Sequence, residues 1–233
     1  MTNITKNDLP DFARKTLKHI LKNKGEVIYS SHETLKEGPI YLLGLNPGGD
    51  GQENPDTTTS YSIKSHLDRM LKRTENSFID ERWENKIAHY EVGKAPLQMR
   101  VIELLKGVGV QDPRTVCASN IIFKTSRDSS NLCFGLAGLC WPVHEAILNL
   151  VKPKLILTFG ISSISAYAFL KELFHIDETE LTIDADHGDW KCKGFKCEIN
   201  GKSTFIAAVP HLSYYSPKNK TEVFSWIKEN AGL

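Results

Sequence analysis

Four short runs of aliphatic and β-branched residues constrain this chain most: residues 40–44 (IYLLG), 116–123 (VCASNIIF), 154–160 (KLILTFG) and 204–210 (TFIAAVP). None alternates with polar residues, so each reads as a strand buried on both faces, which is the condition of a parallel sheet covered by helices. The stretches between them carry apolar residues at helical spacing. Ile63, Leu67, Met70 and Leu71, then Leu97, Val101, Leu104 and Leu105, lie between the first two runs. Val143, Ala146, Ile147 and Leu150 precede the third, Ile164, Tyr167, Ala168 and Leu170 follow it, and Val223, Phe224 and Ile227 come last. An N-terminal helix is expected from Leu9, Phe12, Ala13, Leu17, Ile20 and Leu21, with Pro10 in its first turn and Gly25 after a lysine-rich end. Strands alternating with helices predict an α/β fold: three α/β/α layers around a central, mainly parallel four-stranded sheet. Between Leu181 and Val209 the rhythm changes, with strand-like pieces meeting at Asn200-Gly201, a hairpin signal. An antiparallel excursion is therefore expected before the fourth strand.

The chain has 233 residues, 40% hydrophobic and 24% charged, which suits one globular domain over residues 1–233 with residues 1–37 as a helical segment packed on it. No apolar run reaches the roughly 20 residues of a membrane-spanning helix. The N-terminus lacks a basic-then-apolar signal, so no membrane partner and a cytoplasmic location are expected. The five cysteines, Cys117, Cys133, Cys140, Cys192 and Cys197, are scattered without the paired spacings of zinc or iron-sulfur sites and are expected to be buried thiols. Cys192 and Cys197 flank Gly194 in what reads as a hairpin, and a reducing compartment argues against a bridge there. Asp184, Asp186, His187 and Asp189 read as a solvated hairpin end in preference to a metal site, and no metal or cofactor is expected. His66, His89 and His144 stand alone on helical stretches. The net charge is +1, so any nucleic-acid footprint must be local. A monomer is expected.

Ligands of open parallel sheets bind outside the carboxyl ends of the strands. The first strand ends in Asn46-Pro47-Gly48 and the second carries Asn120, with Lys124 and Arg127 just beyond. The third ends in Gly160-Ile161-Ser162-Ser163, and the fourth runs into His211-Leu212-Ser213-Tyr214-Tyr215-Ser216. Two amides, a histidine and several serines thus converge on one edge. The glycine-rich turn after the first strand could cradle a phosphate, but it lacks both the Gly-Lys-Ser/Thr ending of a P-loop and the spacing of a dinucleotide fingerprint.

Taken together, GLNPG at 44–48, ASNIIFKTSR at 118–127 and VPHLSYYS at 209–216 resemble the uracil-DNA glycosylase superfamily, closest to its mismatch-specific and single-strand-selective branches. Those branches carry Gly-x-Asn-Pro-Gly where other members have an aspartate. GFKCEINGKSTFIAAVPHLS at 194–213 is similar to the hairpin that delivers the family's histidine. The resemblance follows element order over residues 38 to 216. It departs where Leu212 replaces the proline of His-Pro-Ser, where residues 51–96 match no pattern, and where the iron-sulfur cysteines of some branches are missing.

The resemblance implies a monofunctional glycosylase that removes uracil or a related deaminated base from DNA without metal or cofactor. Asn46 and His211 would be catalytic. Breaking the glycosidic bond develops negative charge on the departing base, so a donor from His211 aimed at its carbonyl oxygen stabilises the transition state. Asn46 cannot take a proton, but its carbonyl oxygen can hold a water at the anomeric carbon. Asn120 would read the base, since a carboxamide matches the N3–H and O4 of uracil. Gly44, Leu45, Pro47 and Gly48 would line the base site, and Tyr61, the first aromatic after the loop, would stack on the base. Gly49 and Gly51, with Ser213 and Ser216, would approach phosphates, and Lys124, Arg127 and Lys218 would supply charge. Tyr214 and Tyr215 occupy the place of the family's gap-filling loop, as apolar wedge or core aromatic. Two other classes stay open: a non-catalytic nucleobase- or DNA-binding protein, and an unrelated α/β nucleotide-binding hydrolase.

Overall fold

The computed structural model describes residues 4–49, 62–83, 89–128, 132–174 and 180–233. Its α/β sheet forms where the apolar runs lie: β1 (Ile40–Gly44), β2 (Cys117–Asn120), β3 (Leu155–Phe159) and β6 (Lys202–Val209). The first three are buried at every position, as unbroken apolar strands require. β2, β1, β3 and β6 lie side by side and parallel.

The sheet has six strands, not four, and is mixed. β4 (Leu181–Asp184) and β5 (Lys191–Ile199) extend it antiparallel beyond β6, in the order β2-β1-β3-β6-β5-β4. The cause is the Asn200-Gly201 turn. Both residues have positive φ, 54° and 74°, and Ile199 pairs with Lys202, a two-residue turn whose twist suits a hairpin. β5 is therefore zipped along β6 and becomes part of the central sheet instead of an excursion from it. Cys192 and Cys197, an odd number of residues apart on β5, join apolar clusters on opposite faces, and all five cysteines are free thiols.

Period-two alternation divides the parallel strands into two apolar faces. Tyr41, Leu43, Ile156, Ile206 and Ala208 face one cluster, covered by α1 (Leu9–Thr16), α2 (Ile63–Arg69), α4 (Leu136–Val151) and α5 (Ala166–Leu173). Leu42, Leu157, Phe159, Ala207 and Val209 face the other, covered by α3 (Pro96–Gly107) and α6 (Thr221–Ala231). No helix among the described residues is long and apolar enough to cross a membrane.

The N-terminal helix is shorter than its apolar pattern. It stops at Thr16, although Leu17 and Ile20 stay buried in the same cluster. The chain must turn there because residues 24–30 run antiparallel along the outer edge of β2. Glu26 N–H donates to the Phe123 carbonyl at 3.0 Å, Tyr29 N–H to Ala118 at 2.7 Å, and Thr125 N–H returns to Lys24 at 2.9 Å. This segment caps a sheet edge that would otherwise present unpaired backbone groups, and it brings Tyr29 beside the end of β2.

Two of the lone histidines are core groups. His66 joins the backbone of Val27 and Ile28, and His144 joins the Tyr41 hydroxyl at 2.8 Å and the Ile121 carbonyl at 3.2 Å. Burial pulls their pKa values down to about 3 and about 4 respectively.

Candidate functional site

The four parallel strands end nearly level, with Gly44 opposite Asn120, Leu43 opposite Thr158 and Phe159 opposite Val209. Side chains two residues apart share a face, so Gly44 follows Leu42, Asn120 follows Ala118 and Phe159 follows Leu157 onto the α3/α6 side. They meet over Gly44. A Cβ on Gly44 would lie 2.2 Å from Asn120 Oδ1 and 3.1 Å from Phe159 Cζ, so only glycine lets the amide and the ring close over this backbone. The Phe159 ring in turn meets His211 edge-on, with centroids 5.8 Å apart at 67°. Asn120, Phe159 and His211 thus form a continuous row along the carboxyl edge. The first two are nearly buried, at 5% and 7% exposure, and His211 is open to solvent.

The His211 ring is oriented by its own loop. Ser213 N–H donates to Nδ1 at 3.2 Å, which makes Nδ1 an acceptor and assigns the proton of the neutral ring to Nε2. Partial enclosure beside Phe159 and Gly160 lowers the imidazole pKa through desolvation, so the ring is neutral at pH 7. His211 therefore offers a neutral N–H donor.

Leu212 is wholly buried. Arg100 of α3 donates through one Nη to the carbonyls of Leu212, at 2.5 Å, and Ser213, at 2.8 Å. The N–H groups of Tyr214 and Tyr215 close back on the His211 carbonyl at 2.9 and 3.0 Å. The loop is thus held by a buried anchor and a guanidinium clamp.

Asn46 lies just past β1, half-buried. Its Nδ2 donates to the carbonyls of Pro47, at 2.8 Å, and Ser126, at 3.2 Å. Ser126 N–H also bonds the Pro47 carbonyl at 3.0 Å, tying this turn to the chain beyond β2. With both amide hydrogens committed, the carbonyl oxygen is what Asn46 retains for a ligand. Leu45 and Pro47 pack inward, while Gly48 and Gly49 are exposed.

Around the row, Arg127, Ser213, Ser216 and Lys218 are exposed, and Lys124 is half-buried in an antiparallel bridge to Gly25. Tyr214 is 73% exposed. Tyr215 is not available to a ligand as expected: it is 0% exposed in the α3/α6 cluster, with its ring against His187. The two adjacent tyrosines point to opposite fates because Leu212 and Tyr215 together anchor the loop. Tyr61 and Gly51 lie outside the described residues. Asp184 and Asp186 pair with Lys191 and Lys220, and no group of three or more His, Cys, Asp or Glu suited to a metal occurs among the described residues.

Four participants escaped the sequence reading. Phe159 reads as core from its strand, and Arg100, Tyr29 and Glu26 carry no signal of their own in the sequence. Asn120 Nδ2 donates to the Tyr29 hydroxyl, and Tyr29 stacks obliquely on Phe78, centroids 5.7 Å apart. Burial, and after it the nearby Glu26, holds the Tyr29 hydroxyl well above the usual range, and the Glu26 carboxyl is itself pushed up to about 7 by burial, against the pull of Arg73 and Arg69 and with a smaller push from Glu81.

A cavity of about 520 Å³ lies at the opposite edge of the sheet, lined by Ile40, Val108, Val116, Cys117, Lys228 and Leu233 among others. It shares no residue with the row, and Thr34, Lys36 and Asp112 also line it. A scan against protein-family models and a search of curated proteins each return no match for this chain.

Proposed function

We propose that the protein is a uracil-DNA glycosylase-like hydrolase that cleaves the N-glycosidic bond of uracil or a related deaminated base in DNA. The observation that carries this reading is the contiguous row of Asn120, Phe159 and His211 over Gly44 at the carboxyl edge. In this reading an extruded base lies against the Phe159 ring, its N3–H and O4 edge meets the Asn120 amide, and its opposite carbonyl faces His211. As the bond from the anomeric carbon to the base nitrogen breaks, both electrons leave with the base, and Nε2–H of His211 stabilises the resulting anion. The Asn46 carbonyl oxygen holds the water that adds to the cationic sugar carbon, and the proton lost from that water passes to solvent. An amide in place of a carboxylate supplies no general base, so slow turnover is expected. In this reading Tyr214, which is exposed, would fill the gap left by the extruded nucleotide, and the exposed Arg127, Lys218, Ser213 and Ser216 would meet flanking phosphates.

The test is incubation with single- and double-stranded oligonucleotides holding one uracil, followed by alkaline strand cleavage. Cleavage at the uracil that is lost in Asn46→Ala and His211→Ala variants is the expected result, and intact strands with all substrates refute it. A second reading is a protein that binds at the same strand ends without turnover. It is favoured by the amide at position 46, which leaves the strand ends without a general base there. Binding of uracil or abasic DNA that is unchanged by Asn46→Ala, with no cleavage, would support it.

A further inference from the structure

We propose that Trp190 is a stacking platform for an unpaired base next to the extruded nucleotide, so that the carboxyl edge takes single-stranded DNA in preference to duplex. The proposal rests on the glycosylase reading for its substrate, but the platform itself follows from the register of the sheet. β5 runs antiparallel along β6 with Lys193 opposite Ala208, and counting that register on towards the carboxyl edge brings Trp190 level with His211. Cys192 and Val209 both face the α3/α6 cluster, so Trp190 and His211, each two residues from one of them, take that same face. The row of Asn120, Phe159 and His211 is therefore extended by one strand, a step of about 5 Å along the edge. Ring contacts join the two ends of this step. Tyr215, whose N–H closes on the His211 carbonyl, meets the His187 ring at 6.0 Å, and His187 meets Trp190 at 4.7 Å.

Core packing does not account for this ring. Trp83, Trp141 and Trp226 each pack against one of the two apolar clusters, whereas Trp190 belongs to neither and is 38% exposed. Its place is nonetheless firmly built. Ala185 is wholly buried and its N–H donates to the Trp190 carbonyl at 2.9 Å, while Trp190 N–H donates to the His187 carbonyl at 3.2 Å. Asp186 and Gly188 turn the chain with positive φ, 51° and 55°, which a non-glycine residue adopts at a cost. Lys220, the N-cap of α6, holds Asp186 there by donating to its carbonyl and, at 2.8 Å, to its carboxylate. A large ring fixed in the open before binding loses little freedom when a base stacks on it. The turn carries little charge, because Asp184 pairs with Lys191 and Asp186 with Lys220, leaving Asp189 as its one carboxylate outside an ion pair among the described residues. This corner thus offers stacking and not attraction for phosphate, and every base has a face to stack. In a duplex those faces are covered by neighbouring pairs, and in a single strand they are open.

The test measures binding of wild type, Trp190→Ala and Trp190→Phe to labelled, uracil-free oligothymidine by fluorescence anisotropy, as a single strand and as a duplex with oligodeoxyadenosine, over a range of salt concentrations. Trp190→Ala is expected to weaken single-strand binding about tenfold and to leave duplex binding unchanged, and Trp190→Phe to recover most of the loss. The dependence of log Kd on log salt stays the same in all three, because no phosphate contact is removed. Equal affinities of wild type and Trp190→Ala for the single strand overturn the proposal, as does a wild type that binds no single strand. A second readout needs no alanine variant: indole emission quenched by unlabelled single strand in wild type but not in Trp190→Phe supports the platform, and quenching that persists in Trp190→Phe rejects it. No cleavage is measured, so the outcomes are separate from those of the glycosylase reading. Binding that depends on Trp190 without uracil cleavage keeps the platform and rejects the enzyme, and cleavage with no role for Trp190 does the reverse.

Discussion

Replacing Glu26 by glutamine should stabilise the protein, and only at neutral and alkaline pH. Glu26 sits in the segment along β2, and its carboxyl is pushed from the ordinary 4.5 to about 7, chiefly by burial. The folded chain holds this proton more tightly than the unfolded chain does. Below pH 4.5 the group is protonated in both states and costs nothing. As pH rises through 7 the folded state must carry a poorly hydrated carboxylate, and stability is lost. The difference between about 7 and 4.5 corresponds to about 3 kcal/mol at full ionisation, an upper figure because the residue retains some surface. Glutamine keeps the shape and has no charge to lose. Urea unfolding of wild type and Glu26→Gln should give midpoints that agree at pH 4.5 and diverge through pH 6 to 8.5, the variant being more stable by about 1–3 kcal/mol at the upper end. Subtracting the two curves cancels every other titrating group. A difference that is flat with pH, or that favours wild type at pH 8.5, refutes the claim that burial dominates over Arg73 and Arg69.

Three further outcomes are expected. His211→Ala should lower kcat by about 10²–10³, while its urea midpoint stays within about 0.5 kcal/mol of wild type because the ring is exposed; a loss under tenfold would count against its donor role. Gly44→Ala places a methyl 2.2 Å from Asn120 Oδ1 and should destabilise by about 1–3 kcal/mol and abolish uracil cleavage; a crystal structure of the variant with Asn120 unmoved would contradict this. His66 and His144 are held neutral in the fold, so stability should fall as pH drops below 6.5, by about 2 kcal/mol for each histidine between pH 6.5 and 5; His144→Gln should shallow that slope, and an unaltered slope in urea titrations would refute it.

Several features were legible in the chain because they are encoded locally. Unbroken apolar runs located β1, β2, β3 and β6 to within a few residues, since a strand buried on both faces has no place for polar alternation. Asn200-Gly201 marked a two-residue hairpin, since both positions need positive φ. The residues at the strand ends followed from those boundaries alone, and so did the expectation that Asn120 and His211 share an edge.

What tertiary structure decided depends on partners far apart in sequence. That β4 and β5 enlarge the sheet to six strands depends on the edge of β6 being free to accept β5, which no local pattern reveals. Tyr215 became core and Tyr214 surface because the loop is anchored through Leu212 and Tyr215, and neighbouring tyrosines are identical as letters. Arg100 grips a loop more than a hundred positions away, and Tyr29 reaches Asn120 only because residues 24–30 line the edge of β2. Periodicity states which face a residue occupies, whereas the contact it makes there is fixed by the strand, helix or edge that packing brings opposite.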